Sequence, residues 1–127
     1  MRRASYSPFC LFGVLVMAAC STNRPEIANL FVEPESLNGE NTTACGFLNF
    51  GFENHNFYPG PREAKNDEFG VGVTPGEVTY EKLLTYHSRH VCLSGVIRYS
   101  GCTVTSICSA SNFPYEIVVN EISANRN

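Results

Sequence analysis

At 127 residues the chain has room for one domain, and its 43% hydrophobic and 12% aromatic content excludes a wholly disordered one. The formal net charge is -3 and no run of like charge occurs, so clustered Lys and Arg to displace counterions from a phosphate backbone are missing. That argues against a nucleic-acid partner. Tryptophan is absent, whereas 9 Phe and 6 Tyr supply the rings that strands favour.

The first element is an address. Arg2 and Arg3 are followed by an apolar stretch from Phe9 to Ala19, broken by Gly13. Eleven helical residues span about 16 Å, roughly half a hydrocarbon core, which is too short to cross a membrane. A positive start, a short apolar core and the small pair Ala18-Ala19 make residues 1–19 a secretory signal. The run Val16-Met17-Ala18-Ala19-Cys20 resembles the lipobox of bacterial lipoproteins, with Met17 where Leu is usual. The resemblance implies that the Cys20 thiol carries a diacylglyceryl group. It also implies cleavage just before Cys20 and fatty acylation, of the palmitate kind, on the new amino group. Ser21 stands where an inner-membrane retention signal would place Asp, which implies the outer membrane where the cell has one. The expected location is therefore extracytoplasmic, lipid-anchored to the cell envelope, since two or more acyl chains anchor stably. Removing residues 1–19 leaves 7 basic and 12 acidic residues, a net charge of -5.

Residues 20–36 read as a tether, polar and Pro-containing (Pro25, Pro34), that starts to order near Leu30. The domain is expected over residues 37–122, with 123–127 as a tail. Ala44 to Phe52 is a strand candidate in which Gly46 and Gly51 suggest a bulge or bend. Asn54 to Glu77, rich in Gly, Pro and Asn, reads as a long loop with a short strand near Phe69 to Val73. Thr79 is placed to cap a short helix from Tyr80 to Tyr86, with Leu83 and Leu84 facing the core. His90 to Tyr99 is the clearest strand, with Val91, Leu93, Gly95, Ile97 and Tyr99 in one row. After a turn at Gly101 to Ser106, Ile107 to Ala110 is read as a hairpin arm and Tyr115 to Ile122 as the last strand.

Beyond the signal and anchor, Cys45, Cys92, Cys102 and Cys108 remain, an even number that reads as a disulfide framework outside the cytoplasm. Four cysteines allow three connectivities. Cys102–Cys108 across a turn with Cys45–Cys92 between strands is the favoured one. A faint echo, Leu37 eight positions before Cys45 and Leu84 eight before Cys92, hints that these two cysteines occupy similar places on two strands. A metal site using His87, His90 and the cysteines is the alternative, but the spacing is looser than zinc motifs require, so neither metal nor other cofactor is expected.

Nothing in the sequence demands catalysis. Ser94, His90 and Glu81 are the only nucleophile, base and orienter that suggest themselves, and no G-x-S-x-G turn is present. The aromatic crowding is more informative. Phe47, Phe50, Phe52, Phe57 and Tyr58 fall within twelve positions; half of them are expected in the core, and Phe50, Phe52, Phe57 and Tyr58 are the candidates for an exposed partner-binding patch. Glycine-kinked strands with a mid-chain helix suggest a mainly β fold, a small, disulfide-stapled OB-like barrel with one short helix, or else a small α+β sandwich. The expected function is a non-enzymatic, envelope-anchored domain that binds a protein or glycan. Two alternatives stay open. One is an inhibitor like the small lipoproteins that block lysozymes, to whose Ser-Gly…Tyr loop Ser94-Gly95…Tyr99 is superficially similar. The other is a metal- or thiol-dependent enzyme.

Overall fold

The computed structural model of the chain describes residues 30–101, 111 and 113–125. Five strands close a barrel: β1 (Asn41–Phe50), β2 (His55–Tyr58), β3 (Val71–Pro75), β4 (Arg89–Tyr99) and β5 (Tyr115–Ala124). Their order around the ring is β1-β2-β3-β5-β4. β3 and β5 are parallel, and every other neighbouring pair is antiparallel. Two short helices, α1 (Pro61–Asn66) and α2 (Tyr80–Leu84), bracket β3 in the sequence. The protein is thus mainly β and OB-like, a five-stranded barrel with a helix between its third and fourth strands.

Alternation decides which side chains fill the barrel. On β1, Thr42, Ala44, Gly46, Leu48 and Phe50 are buried and the residues between them are not. On β4, Val91, Leu93, Gly95 and Ile97 form the matching inward row, while Tyr99 turns outward at the strand end. Ile117 and Val119 complete the wall from β5. Two inward positions must be glycine because another backbone passes close by. A Cβ at Gly46 would strike the Tyr58 carbonyl, and one at Gly95 would strike the Val118 carbonyl. The second contact lies at a bulge. Ser94 pairs with Glu121 and Gly95 with Val119, so Asn120 is the extra residue of β5.

The two ends are closed differently. α2 lies where β3 finishes and β4 starts. The Thr79 hydroxyl accepts from the Lys82 amide at 3.2 Å, as expected of the cap. Leu83 is fully buried there and Tyr80, one turn before it, packs on the core, but Leu84 points off that face and is exposed. At the opposite end the chain leads into β1, and Gly39 donates to the Ile97 carbonyl at 2.6 Å. Leu30 and Phe31 belong to the core itself, and the Phe31 ring lies 5.4 Å from that of Phe57. Among the described residues the core therefore already includes Leu30, ahead of the 3-10 turn Pro34–Leu37.

The stretch 54–77 holds more structure than a loop. β2 has four residues, with Asn56, Phe57 and Tyr58 all covered, so no alternation marks it in the sequence. α1 starts at Pro61 and has Glu63 in its first turn and Lys65 in its last, a favourable match to the helix dipole. Asp67 ends it at φ 57. The hairpin arm expected at Ile107 to Ala110 lies outside the described residues.

Candidate functional site

The disulfide Cys45–Cys92 is formed, with an S–S distance of 1.94 Å. The two residues are direct cross-strand partners on β1 and β4. Cys102 and Cys108, and the lipidation candidate Cys20, lie outside the described residues. Bonded to each other, Cys45 and Cys92 offer no thiolate for catalysis or metal binding.

Three of the four rings assigned to a partner patch are core residues. Phe50 and Phe57 are fully buried and Tyr58 is 2% exposed, so none of them presents a face to a partner. The correction follows from closure: both faces of β2 are covered, and Phe50 ends the inward row of β1. Phe52 alone stands free, 87% exposed in the turn after β1.

Tyr58 and Asn56 point away from the barrel axis, opposite in sense to the inward Phe57. Tyr58 is nevertheless sealed. Its hydroxyl donates to Asp67 at 2.7 Å and its ring meets Phe113 edge-on at 5.9 Å. Burial, then the bond to Asp67 and its negative charge, hold the phenol above its ordinary pKa, against a smaller opposing effect of Asn56. A Cβ on Gly70 would overlap both Phe113 and Tyr58, and one on Gly72 would meet the Ser111 hydroxyl. Ser111 and Phe113 thus lie over the outer face of β2 and β3. In OB barrels that face commonly receives the ligand; here the chain's own side chains fill it.

The open concave surface is on the other wall. Thr43, Ser94 and Glu121 are cross-strand neighbours on β1, β4 and β5 and lie side by side on the outer face. The Thr43 and Ser94 hydroxyls share a hydrogen bond of 2.8 Å. Asn41 lies one outward position from Thr43, and the bulge residue Asn120 sits beside Glu121. The turn after β3 forms the far rim, pinned where the Val78 amide donates to the Val119 carbonyl at 3.2 Å. These groups border two adjoining hollows that share Glu77 and Glu121. One, of about 290 Å³, is lined by Asn41, Thr43 and Ser94. The other, of about 410 Å³, is lined by Thr79, Lys82 and Ile122. The result is a polar groove with hydroxyl, amide and carboxylate groups, flanked by the disulfide two positions along the same strand pair. Separately, Glu116 on β5 accepts from Thr74 at 2.7 Å and pairs with Arg98, tying β3, β5 and β4 together.

The histidines serve the α2 end of the barrel. The Phe50 amide donates to Nδ1 of His87 at 3.0 Å, which leaves the proton of the neutral ring on Nε2. That nitrogen, 3.2 Å from the Ser88 hydroxyl, is then a donor and cannot take the serine proton. Nor does the imagined set of Ser94, His90 and Glu81 assemble: Ser94 is bonded to Thr43, and the His90 ring packs edge-on against Phe47 at 5.3 Å. Among the described residues no cluster of three or more His, Cys, Asp or Glu side chains is placed to hold a metal ion.

His55 stacks on Phe50 at 4.1 Å and meets Tyr80 edge-on at 5.5 Å. Its Nε2 is buried without a hydrogen-bond partner. Burial lowers its pKa below 6.5, against a smaller upward pull from the hydrogen bond to the Gly51 backbone. The folded state therefore favours the neutral ring, and the unfolded chain binds the proton more readily. Stability from this site is complete above about pH 6.5 and is lost as pH falls through the lowered folded value. Urea denaturation across that range should show the decline, and His55→Phe, which keeps the stack, should flatten it. An equal slope in the variant would assign the decline to other groups.

Comparison with protein-family models, with curated proteins and with solved structures finds no match to this chain.

Proposed function

We propose that the protein is an envelope lipoprotein, anchored through lipid on Cys20, whose barrel binds a glycan without chemistry of its own. The observation that carries this reading is the groove across β1, β4 and β5. Its Asn41, Thr43, Ser94, Asn120, Glu77 and Glu121 side chains supply mixed donors and acceptors. Sugar hydroxyls both donate and accept, so hydroxyl, amide and carboxylate groups side by side on a rigid sheet suit them. Lipid anchoring needs no spanning segment, and no helix among the described residues is long and apolar enough to cross a membrane. The bridge Cys45–Cys92 suits an oxidising compartment.

The test is an NMR titration of the mature, unlipidated domain with soluble oligosaccharides released from a bacterial cell wall. The expected shifts map to Thr43, Ser94 and Glu121, and a Ser94→Val, Glu121→Ala double variant loses them. Shifts confined to other faces, or none at millimolar sugar, would overturn the reading.

A further inference from the structure

We infer that the barrel end where the chain leads into β1 lies against the lipid surface, with Val32, Phe69 and Tyr99 in the headgroup layer. The inference rests on the anchoring of Cys20. Val32, Phe69 and Tyr99 are 64%, 56% and 60% exposed, although each is large and apolar. Topology brings them to one end. Tyr99 finishes β4 and pairs with Tyr115, the first residue of β5, the two rings 5.3 Å apart. Phe69 precedes Gly70, which packs beneath Phe113 just ahead of Tyr115. Val32 follows the core residues Leu30 and Phe31 and precedes the turn Pro34–Leu37, from which Gly39 reaches the Ile97 carbonyl near the end of β4.

Phe69 carries a second sign. Its φ is 58°, a left-handed conformation that bulky side chains disfavour. The core gains nothing in return, because the ring is turned to the outside. Strain of this kind points to a surface role.

The tether identifies the occupant. Cys20 precedes Leu30 by ten residues, a reach of at most about 36 Å when fully extended. A lipid at Cys20 therefore keeps this end within one domain diameter of the bilayer, where apolar contact has little further translational cost. A tyrosine ring, apolar with a polar tip, suits the boundary between water and acyl chains. The exposed carboxylates Glu33, Glu35, Glu40, Asp67 and Glu68 outnumber the exposed cations Arg62, Lys65 and Arg98 on the same segments. The contact is thus apolar, made with neutral headgroups, and anionic lipid weakens it. The groove stays open along the side wall.

The chain has no tryptophan, so one introduced ring reports alone. Lipidated protein carrying Phe69→Trp, Tyr99→Trp or Phe52→Trp is placed in phosphatidylcholine vesicles with or without bromine on the upper acyl chain. Quenching and a blue shift are expected at positions 69 and 99 and not at 52, which sits at the α2 end. Equal quenching at all three, or quenching at 52 alone, would overturn the orientation while leaving the anchor intact. Intact mass and flotation with the vesicles read the anchor separately. A chain without acyl groups that fails to float would remove the anchor, and this inference with it.

Discussion

A chain shortened to begin at Leu37 is expected to lose most of its stability, compared with one beginning at Cys20. The shortened chain lacks Leu30 and Phe31, which are 0% and 5% exposed and close one end of the core. Emptying a buried Phe site costs about 3–5 kcal/mol, and a Leu site about 2–5 kcal/mol. Even their lower sum matches the stability of a marginal domain, about 5 kcal/mol. Phe31 is the larger contributor because its ring meets both Phe57 and the space kept free at Gly46. Phe31→Ala alone should cost about 3–5 kcal/mol, read as a lower midpoint in urea at nearly constant slope. A shortened chain with the midpoint of the longer one would show that the segment merely rests on the barrel.

The double variant Cys45→Ala, Cys92→Ala should lose about 4 kcal/mol, because the bridge closes a loop over a sequence separation of 47. That stabilisation acts mainly on the unfolded chain, by restricting the states open to it. The two positions face each other across β1 and β4, so the folded backbone should change little without the bond. Thermal unfolding under non-reducing conditions measures the loss. A fall of under about 1 kcal/mol would mean that the unfolded chain already holds β1 and β4 together.

Much of this architecture was legible in the sequence. Alternation marked β4, Tyr115 to Ile122 was read as the last strand and forms most of β5, and Thr79 announced the start of α2 through its hydroxyl. The matched spacing of Leu37–Cys45 and Leu84–Cys92 pointed to two strands whose cysteines correspond, and those cysteines do pair. β2 was hidden for a physical reason. Its four residues are covered on one face by the core and on the other by Tyr58's contacts with Asp67 and Phe113, so its pattern never alternates. The groove was hidden for another. Thr43, Ser94 and Glu121 look like ordinary surface residues of separate strands, and only the pairing of β1 with β4 and of β4 with β5 makes them neighbours. The aromatic cluster was expected to fall half in the core, and of its four partner-patch candidates only Phe52 stays outside the barrel's packing, because crowding in sequence does not tell an inward ring from an outward one.

Closure of the ring bears on crowding. Copies confined to a surface meet far more often than the same number in solution, and an open sheet under those conditions would be a template for growth. Here β1 bonds to β2 on one side and β4 on the other, and the circuit returns to its start. Where neighbouring strands pair, one copy therefore offers no backbone row for those of the next to extend, although 41–46 of β1 runs past β2 and 120–124 of β5 runs past β3. If the chain is anchored as proposed, a dense lawn of these molecules should stay a population of separate particles.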